Sequence, residues 1–597
     1  MKRIFLLIVL ALVLKISWAQ SQDDLQLAYS YYSAQEYEKA SYLFENMFNK
    51  TKSKTYFIYF VNCLLNSDNF DKAEKAVKKQ ISSSKNDLTY KILLGFVYRR
   101  QNFIDKAAAQ YEEALSQITA DKNQIIQCAN MFSSLSEPDW AEKTYLKGRD
   151  LTGEKFTSEL FSVYASSRNQ KKMVETGLDL LDENPQNVSA VQGMFQYYVN
   201  NDINNEFYDL LRLGILQRIQ KSPSTEKSEL LIWLFLQKKN FKSAFIQAKA
   251  LDKRLNEEGQ RMIILGDEAL NAKDFETASD CYSYVMEEKG IENRYYKRAV
   301  YGVLTSMYER IAGGMITDSS EIYALEKRYI KTFEEFGLNN QSVNDIKNFS
   351  ILETYYLNSP DKAKTWVEKT LNVPSLNYSQ RAQLNLTLGN IELFSGDIWG
   401  AVMTFAKVEN DNKQNEYGDE AKFNKARIAY YTGNFKWAAS QLDVLKAATS
   451  KLVANDAMEL SLLITDNQDA DSVLEIYARG DMYFSQNQFG KSEASLDSII
   501  EKYSTSPLVD ECYFLKAKIY ERKLNWQKAA DYYKKVADDY SYDVLADKAA
   551  YNFAEISAFR LSDKEKAKEY YMKILTDYPG SVFATSSREK YRELEKK

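Results

Sequence analysis

Gly490-Lys491-Ser492 has the closing residues of a phosphate-binding loop, in which backbone amides and a lysine cradle phosphate oxygens. The glycine such a loop needs five positions earlier is missing; Ser485 stands there. Ser67-Asp68-Asn69 and Ser224-Thr225-Glu226-Lys227 carry the residue types of an acyl-transfer serine enzyme. Their order along the chain is reversed, however, and no Lys-Thr-Gly follows. Asp466, Asp469 and Asp471 offer hard oxygen ligands, but no glycine occupies the calcium-loop position, and a solvated linker fits them better. The 597 residues include no histidine, which excludes imidazole-ligated zinc, Ser-His-Asp triads and Cys-His pairs. With 83 acidic residues, chance carboxylate pairs are too numerous to nominate one for acid–base work. Cys63, Cys128, Cys281 and Cys512 are widely spaced, form no CxxC pattern and read as small core residues. The chain is therefore expected to be non-catalytic, with no cofactor and no metal.

Composition narrows the fold. Only 21 Gly and 7 Pro occur, far fewer than the tight turns of a β-rich protein require. Residues 1–19 read as an export signal: Lys2 and Arg3, an apolar run from Ile4 to Leu14, then Ser17-Trp18-Ala19 with small residues before the cut. Lys15 leaves the apolar run too short to cross a bilayer. No later stretch is apolar enough to do so, and no cysteine near the cut could carry a lipid. Loss of Lys2, Arg3 and Lys15 shifts the net charge from −5 to −8, against nucleic acid as a partner.

An internal repeat supplies the architecture. An aromatic residue, two residues and then alanine recur at Tyr37 to Ala40, Phe70 to Ala73, Phe241 to Ala244, Phe275 to Ala278, Phe435 to Ala438 and Trp526 to Ala529. Taking the alanine as anchor gives Ala40, Ala73, Ala107 and Ala141, then Ala244 and Ala278, at spacings of 33 or 34. Ala401, Ala438, Ser492, Ala529 and Ala567 follow, mostly at 37 or 38. Twelve positions before the anchor lies a small residue such as Gly95, Ala129, Gly266, Gly389 or Ala517; four after it lies an aromatic such as Phe44, Tyr111, Tyr282, Phe405 or Tyr533. Spacings of three, four and seven select one helix face. Each repeat thus predicts helices A and B, with Pro138 and Pro360 opening B helices and the other prolines between repeats. The fold class expected is all-α: a superhelical α-solenoid of stacked antiparallel helix pairs.

At these positions the sequence resembles the tetratricopeptide repeat (TPR) family; Gly95, Tyr98, Ala107, Tyr111 and Ala114 match its small–aromatic–Ala–aromatic–Ala frame. The likeness weakens at 188–225, where Gly193 is the one clear anchor residue. It breaks at 295–345, where Gly313-Gly314 interrupts a helix and Asp318 with Glu321 caps a longer one. From Tyr503-Ser504-Thr505-Ser506-Pro507 to Tyr578-Pro579-Gly580-Ser581 the chain is similar to bacterial envelope TPR proteins, the outer-membrane assembly lipoproteins and the Tol-Pal coordinator among them. The organisation expected is a signal peptide (1–19), an N-terminal array (20–290), an irregular helical connection (291–345), middle repeats (346–465), a linker (466–472) and a C-terminal array with a capping helix (473–597).

The resemblance implies a groove lined by A helices that binds peptides or proteins. Candidate contacts are Tyr29, Tyr32, Asn62, Asn66, Phe96, Arg99, Arg100 and Asn130 in the N-terminal array, and Tyr477, Phe514, Lys518 and Arg522 in the C-terminal one. Asp481, Phe484, Glu521, Asn552 and Arg560 lie beside the latter. Two readings stand for them: contact with a partner, or rings packed between repeats and charges merely solvated, with Lys518, Glu521 and Arg522 a surface ion-pair cluster. The function expected is a periplasmic scaffold or adaptor joining envelope proteins, reaching the outer membrane only through a partner. A glycan-binding protein related to outer-membrane sugar-capture proteins is the alternative, with Phe96 and Phe514 as stacking platforms.

Overall fold

The computed structural model describes residues 24–313, 319–413, 415–446 and 451–595. The expected signal, residues 1–19, and Asp318 lie outside them. Every regular element among the described residues is a helix. None of those helices is long and apolar enough to cross a membrane. Contacts gather into two compact units, one ending at Glu257 and one starting at Glu258.

Each unit is a solenoid of antiparallel helix pairs, such as Thr89–Arg100 with Ile104–Ser116 in the first and Val509–Arg522 with Trp526–Asp539 in the second. The repeat register explains why. All eleven anchors, from Ala40 to Ala567, are at most 3% exposed, and so are the aromatics four residues later. Each such ring fills a notch left by the small A-helix residue. A Cβ on Gly389 would sit 2.6 Å from Phe405 Cε1; one on Gly302, in the following A helix, would sit 2.6 Å from Tyr282 Cγ, closer than carbon atoms approach. Tyr282 is thereby held between Gly266 of its own hairpin and Gly302 of the next. Pro138 and Pro360 open helices Pro138–Thr152 and Pro360–Leu371, and no proline interrupts a described helix.

The A–B turn has a uniform device. Five residues before every anchor the chain enters the left-handed region, as at Asn102 (φ 63°), Asn487 (φ 55°) and Leu524 (φ 56°). Only Gly396 and Gly433 place glycine there; elsewhere tertiary packing overrides the steric preference of an L-residue.

Three expectations are corrected. Gly193 is exposed, with nothing within 4 Å of a Cβ there; helix Val188–Asn200 packs instead through Val191, Phe195 and Val199. Residues 466–472 are not a linker: a 3-10 turn, Gln468–Ala470, joins helices Lys451–Asp466 and Asp471–Ser485, whose Ile464, Val473 and Leu474 share one core cluster. Residues 291–345 are not an irregular connection either. Helices Tyr296–Ala312 and Ser319–Phe336 are merely longer than their neighbours and form their own core with Leu304, Leu325 and Phe333. The sequence signal faded there because the small and aromatic residues of the repeat frame are replaced by a different apolar set.

The second unit closes on itself. The A–B turn after Asp471–Ser485 reaches two earlier A helices: Gln486 Nε2 donates to the Leu393 carbonyl (3.0 Å) and Asn487 Nδ2 to the Tyr355 carbonyl (2.9 Å). Further along, an Arg560 nitrogen donates to the Gly313 carbonyl at 3.4 Å. Helix Lys451–Asp466 packs as a third helix on Phe435–Leu445 and Glu416–Tyr431.

The core around Val343–Ile351 is unusually polar. Asp345 is 8% exposed and burial raises its carboxyl to about 7. Beside it lie the buried hydroxyls of Tyr301 and Tyr329. An unfolded aspartate ionises near pH 4. Between that pH and about 7 the folded chain keeps a proton that the unfolded chain has lost, so this site's contribution to stability falls as pH rises and levels off above about 7. Asp345→Asn should therefore stabilise the protein at pH 8 by more than about 1.4 kcal/mol, the worth of one pKa unit, and leave it unchanged at pH 4. Paired thermal melts at the two pH values measure this; an equal difference at both contradicts it.

Candidate partner-binding surface

The repeat register identifies which A-helix residues face inward. At most anchors the residue eleven before follows the buried small residue and points past it, and the residue seven before lies one turn on; before Ala567 the former is the core residue Ile556 and the latter, Arg560, caps the helix. In the first unit these columns contain Tyr29, Asn62, Asn66, Phe96, Arg100 and Asn130. In the second they contain Asp267, Asn390, Arg427, Tyr431, Asp481, Lys518, Arg522 and Arg560.

In the first unit packing claims most of them. Tyr29 and Tyr32 stack edge-on against Tyr59 (5.1 and 5.2 Å between centroids) and against Phe44, so the rings are cluster members. An Arg100 nitrogen lies 2.9 Å from Asn66 Oδ1, and its guanidinium covers Phe96 at 6.0 Å. Asn62 is half-buried, and Asn130 is exposed and accepts the Tyr145 hydroxyl at 3.3 Å. Arg99 is neither a partner contact nor merely solvated. It pairs with Glu137, which is 4% exposed and also accepts the Tyr111 hydroxyl. Loss of Arg99 would strand a buried carboxylate.

In the second unit two nominated residues are corrected. Tyr477 and Phe514 are each 8% exposed: Tyr477 belongs to the core cluster of Leu474 and Ala478, and Phe514 meets Tyr533 edge-on at 5.2 Å. Both stand a turn before the inward columns, where a ring fills the hairpin. Neither is available to a partner, which also removes Phe514 as a sugar-stacking platform.

Lys518 and Arg522 do face inward, and they are not an ion-pair cluster with Glu521. Glu521 instead accepts the Tyr533 hydroxyl at 3.0 Å, and burial raises its carboxyl against the opposing influence of that hydrogen bond, Lys518, Arg522 and Arg560. Lys518 Nζ lies over the Phe484 ring at 5.2 Å. Sequence reasoning missed Arg427, on helix Glu416–Tyr431, although the eleven-before column would have found it. Its guanidinium rests on Phe423 at 6.0 Å, reaches Asn390 Oδ1 at 3.4 Å and leaves a buried Nε without a partner. Arg560 covers Trp526 at 4.7 Å. Asp481 shares this wall; burial raises its carboxyl, opposed by the charges of Lys518 and Arg427.

A cleft of about 490 Å³ opens between Gln260–Asn271 and Tyr296–Ala312, lined by Asp267, Tyr282, Lys297, Arg298, Tyr301 and Gln341. Asp267 accepts both the Tyr282 hydroxyl (2.7 Å) and an Arg298 nitrogen (2.5 Å), so it is tied into packing rather than poised as a base. No group of three or more Cys, Asp or Glu among the described residues could hold a metal ion. Cys63, Cys128, Cys281 and Cys512 are buried and unpaired; burial pushes the Cys63 and Cys128 thiols up to about 12, away from reactivity.

Comparison with known proteins finds a family match over two segments of the chain. Residues 511–541 and 549–581 match the tetratricopeptide repeat model, so these two hairpins are TPR units. No curated protein matches the chain significantly. Among solved structures, a tetratricopeptide repeat protein from Parabacteroides merdae is 15% identical and aligns over 53% of this chain and 99% of its own, with a TM-score of 0.29. Naa15/Naa10 bound to HypK-THB aligns over 96% of this chain and 92% of its own at 14% identity, TM-score 0.23. The APC/C hetero-tetramer Cut9-Hcn1 aligns over 95% of each chain at 10% identity, TM-score 0.22.

The two arginines of the first unit separate by experiment. Arg99→Ala should destabilise it by about 3 kcal/mol through the stranded Glu137, whereas Arg100→Ala, which breaks only an exposed contact, should cost less than about 1 kcal/mol. Urea denaturation of both variants checks this, and equal costs would place Arg99 on the solvated surface.

Proposed function

We propose that the protein is an exported, non-catalytic scaffold of the periplasm that binds envelope proteins along the inward columns of its A helices. The observation that carries this reading is the inner wall of the second unit. There polar and charged side chains from successive repeats line one face without converging on a nucleophile and base. Stacked repeats of this kind present extended concave surfaces suited to chains rather than to small reacting groups. The N-terminal residues Met1 to Ala19 support export, and the Tyr503 to Pro507 and Tyr578 to Ser581 connections support an envelope setting through their likeness to envelope TPR proteins. The glycan reading has lost one stacking platform, since Phe514 is in the core, while Phe96 is half-buried beside Arg100.

Chemical crosslinking in intact cells, followed by fractionation and mass spectrometry, tests the proposal. The expected result is a periplasmic protein beginning at Gln20 and crosslinked to a defined envelope protein. A cytoplasmic protein retaining its first residues, or one that captures no protein above background, would contradict it.

A further inference from the structure

The net-negative chain concentrates unneutralised cations on one wall. Arg427, Lys518, Arg522 and Arg560 all lie in the inward columns of the second unit, and none forms an ion pair with a carboxylate among the described residues. Elsewhere in the chain cations are commonly paired, as Lys172 is with Glu142 or Lys573 with Asp538. The four are also held in place. Three rest on aromatic faces, Lys518 on Phe484, Arg427 on Phe423 and Arg560 on Trp526, which orients each head group without neutralising it. Arg522 is exposed. Arg427 Nε is a buried donor still lacking an acceptor, a state that costs free energy until an acceptor arrives. The nearest acids do not pair with them: Glu521 is engaged by Tyr533, and burial disfavours the charged form of Asp481.

The chain itself shows which chemistry suits this wall. Helix Lys451–Asp466 brings Glu459 to Lys548 at 3.4 Å, and Asp456 lies within the influence of Arg427 and Lys548. Asp456 thus stands near Arg427 at one end of the wall, while the carboxyls near Lys518, Arg522 and Arg560, those of Glu521 and Asp481, are held toward the neutral form by burial and form no ion pair with them. Spacing sets the form of a ligand. Packed helices lie about 10 Å apart, which an extended chain covers in about three residues.

We infer that the inner wall formed by Arg427, Lys518, Arg522 and Arg560 binds an extended acidic segment of a partner protein, with carboxylates about three residues apart meeting Lys518 and Arg522 on one A helix and Arg560 at the end of the next. This deepens the scaffold reading and rests on it. Recognition is through side-chain carboxylates, so a free C-terminus is not required.

The probe is a fluorescein-labelled peptide of about ten residues with Glu at every third position and both ends blocked, titrated against the purified full chain by fluorescence anisotropy. The expected result is saturable binding that weakens with salt and falls at least about tenfold in Lys518→Gln/Arg522→Gln, while Lys172→Gln, on a B helix outside the inward columns, leaves it unchanged. Arg522→Gln alone, at an exposed site, should weaken binding in the same direction with an unaltered melting temperature, which separates lost contact from lost fold. Equal binding of the peptide with Gln in place of Glu, no binding by the wild-type chain, or equal displacement by a sulfated oligosaccharide would overturn the inference. If crosslinking in cells returns an envelope partner whose yield is the same in Lys518→Gln/Arg522→Gln, the scaffold reading stands and the acidic-segment inference falls.

Discussion

The structure depends on one steric fit, an aromatic ring of helix B seated in the notch that a small residue leaves on helix A. Tyr282 shows it most fully, enclosed by Gly266 within its hairpin and Gly302 in the next. The ring therefore sets both the approach of two helices inside a repeat and the stacking of one repeat on another. A hairpin alone would leave half of that ring in water, and burying a large aromatic side chain is worth roughly 1.5–3 kcal/mol. This is why the repeats are stable only in series. The tyrosine hydroxyls finish the device. Tyr282, Tyr533 and Tyr571 each donate to a carboxylate on their own A helix, Asp267, Glu521 and Glu555, so the buried ring keeps a satisfied polar end.

The same fit produces the functional surface. Fixing the small residue against the ring fixes the rotation of the A helix, and so aims the next residue, and the one a turn later, inward. Arg427, Lys518, Arg522 and Arg560 occupy these positions because of their place in the register, not because of any local motif. Aromatic neighbours then orient the cations. Gln486, Asn487 and Arg560 tie later repeats of the second unit to earlier ones through the Leu393, Tyr355 and Gly313 carbonyls.

Much of this was legible in the sequence because the frame residues are confined to a few types: Ala at the anchor, Gly or Ala before it, Phe or Tyr after it. The A–B turn was legible only in position. Left-handed residues such as Gln35, Asp68, Lys273 and Leu524 carry no compositional mark, since packing on both sides imposes the conformation. Val188–Asn200 and Tyr296–Phe336 were obscured because a different apolar set meets the same packing demand, and exposed Gly193 mimicked a frame residue. The π-helical turns Val285–Lys289 and Leu352–Tyr356 had no signal at all. Among site residues, Lys518 and Arg522 stand in the inward columns as proposed contacts, and so does Arg427, which no local motif marks. Tyr477 and Phe514 were misplaced by one helical turn.

A double-mutant cycle at Tyr282 and Gly302 tests the notch most directly, by urea denaturation of Tyr282→Leu, Gly302→Ala and the pair. If the ring and the glycine form one packing unit, the added methyl should destabilise the wild-type background by about 1–3 kcal/mol and cost at least about 1 kcal/mol less once the ring is gone. Additive effects would mean that the two helices are set by other contacts and that the register does not govern the fold.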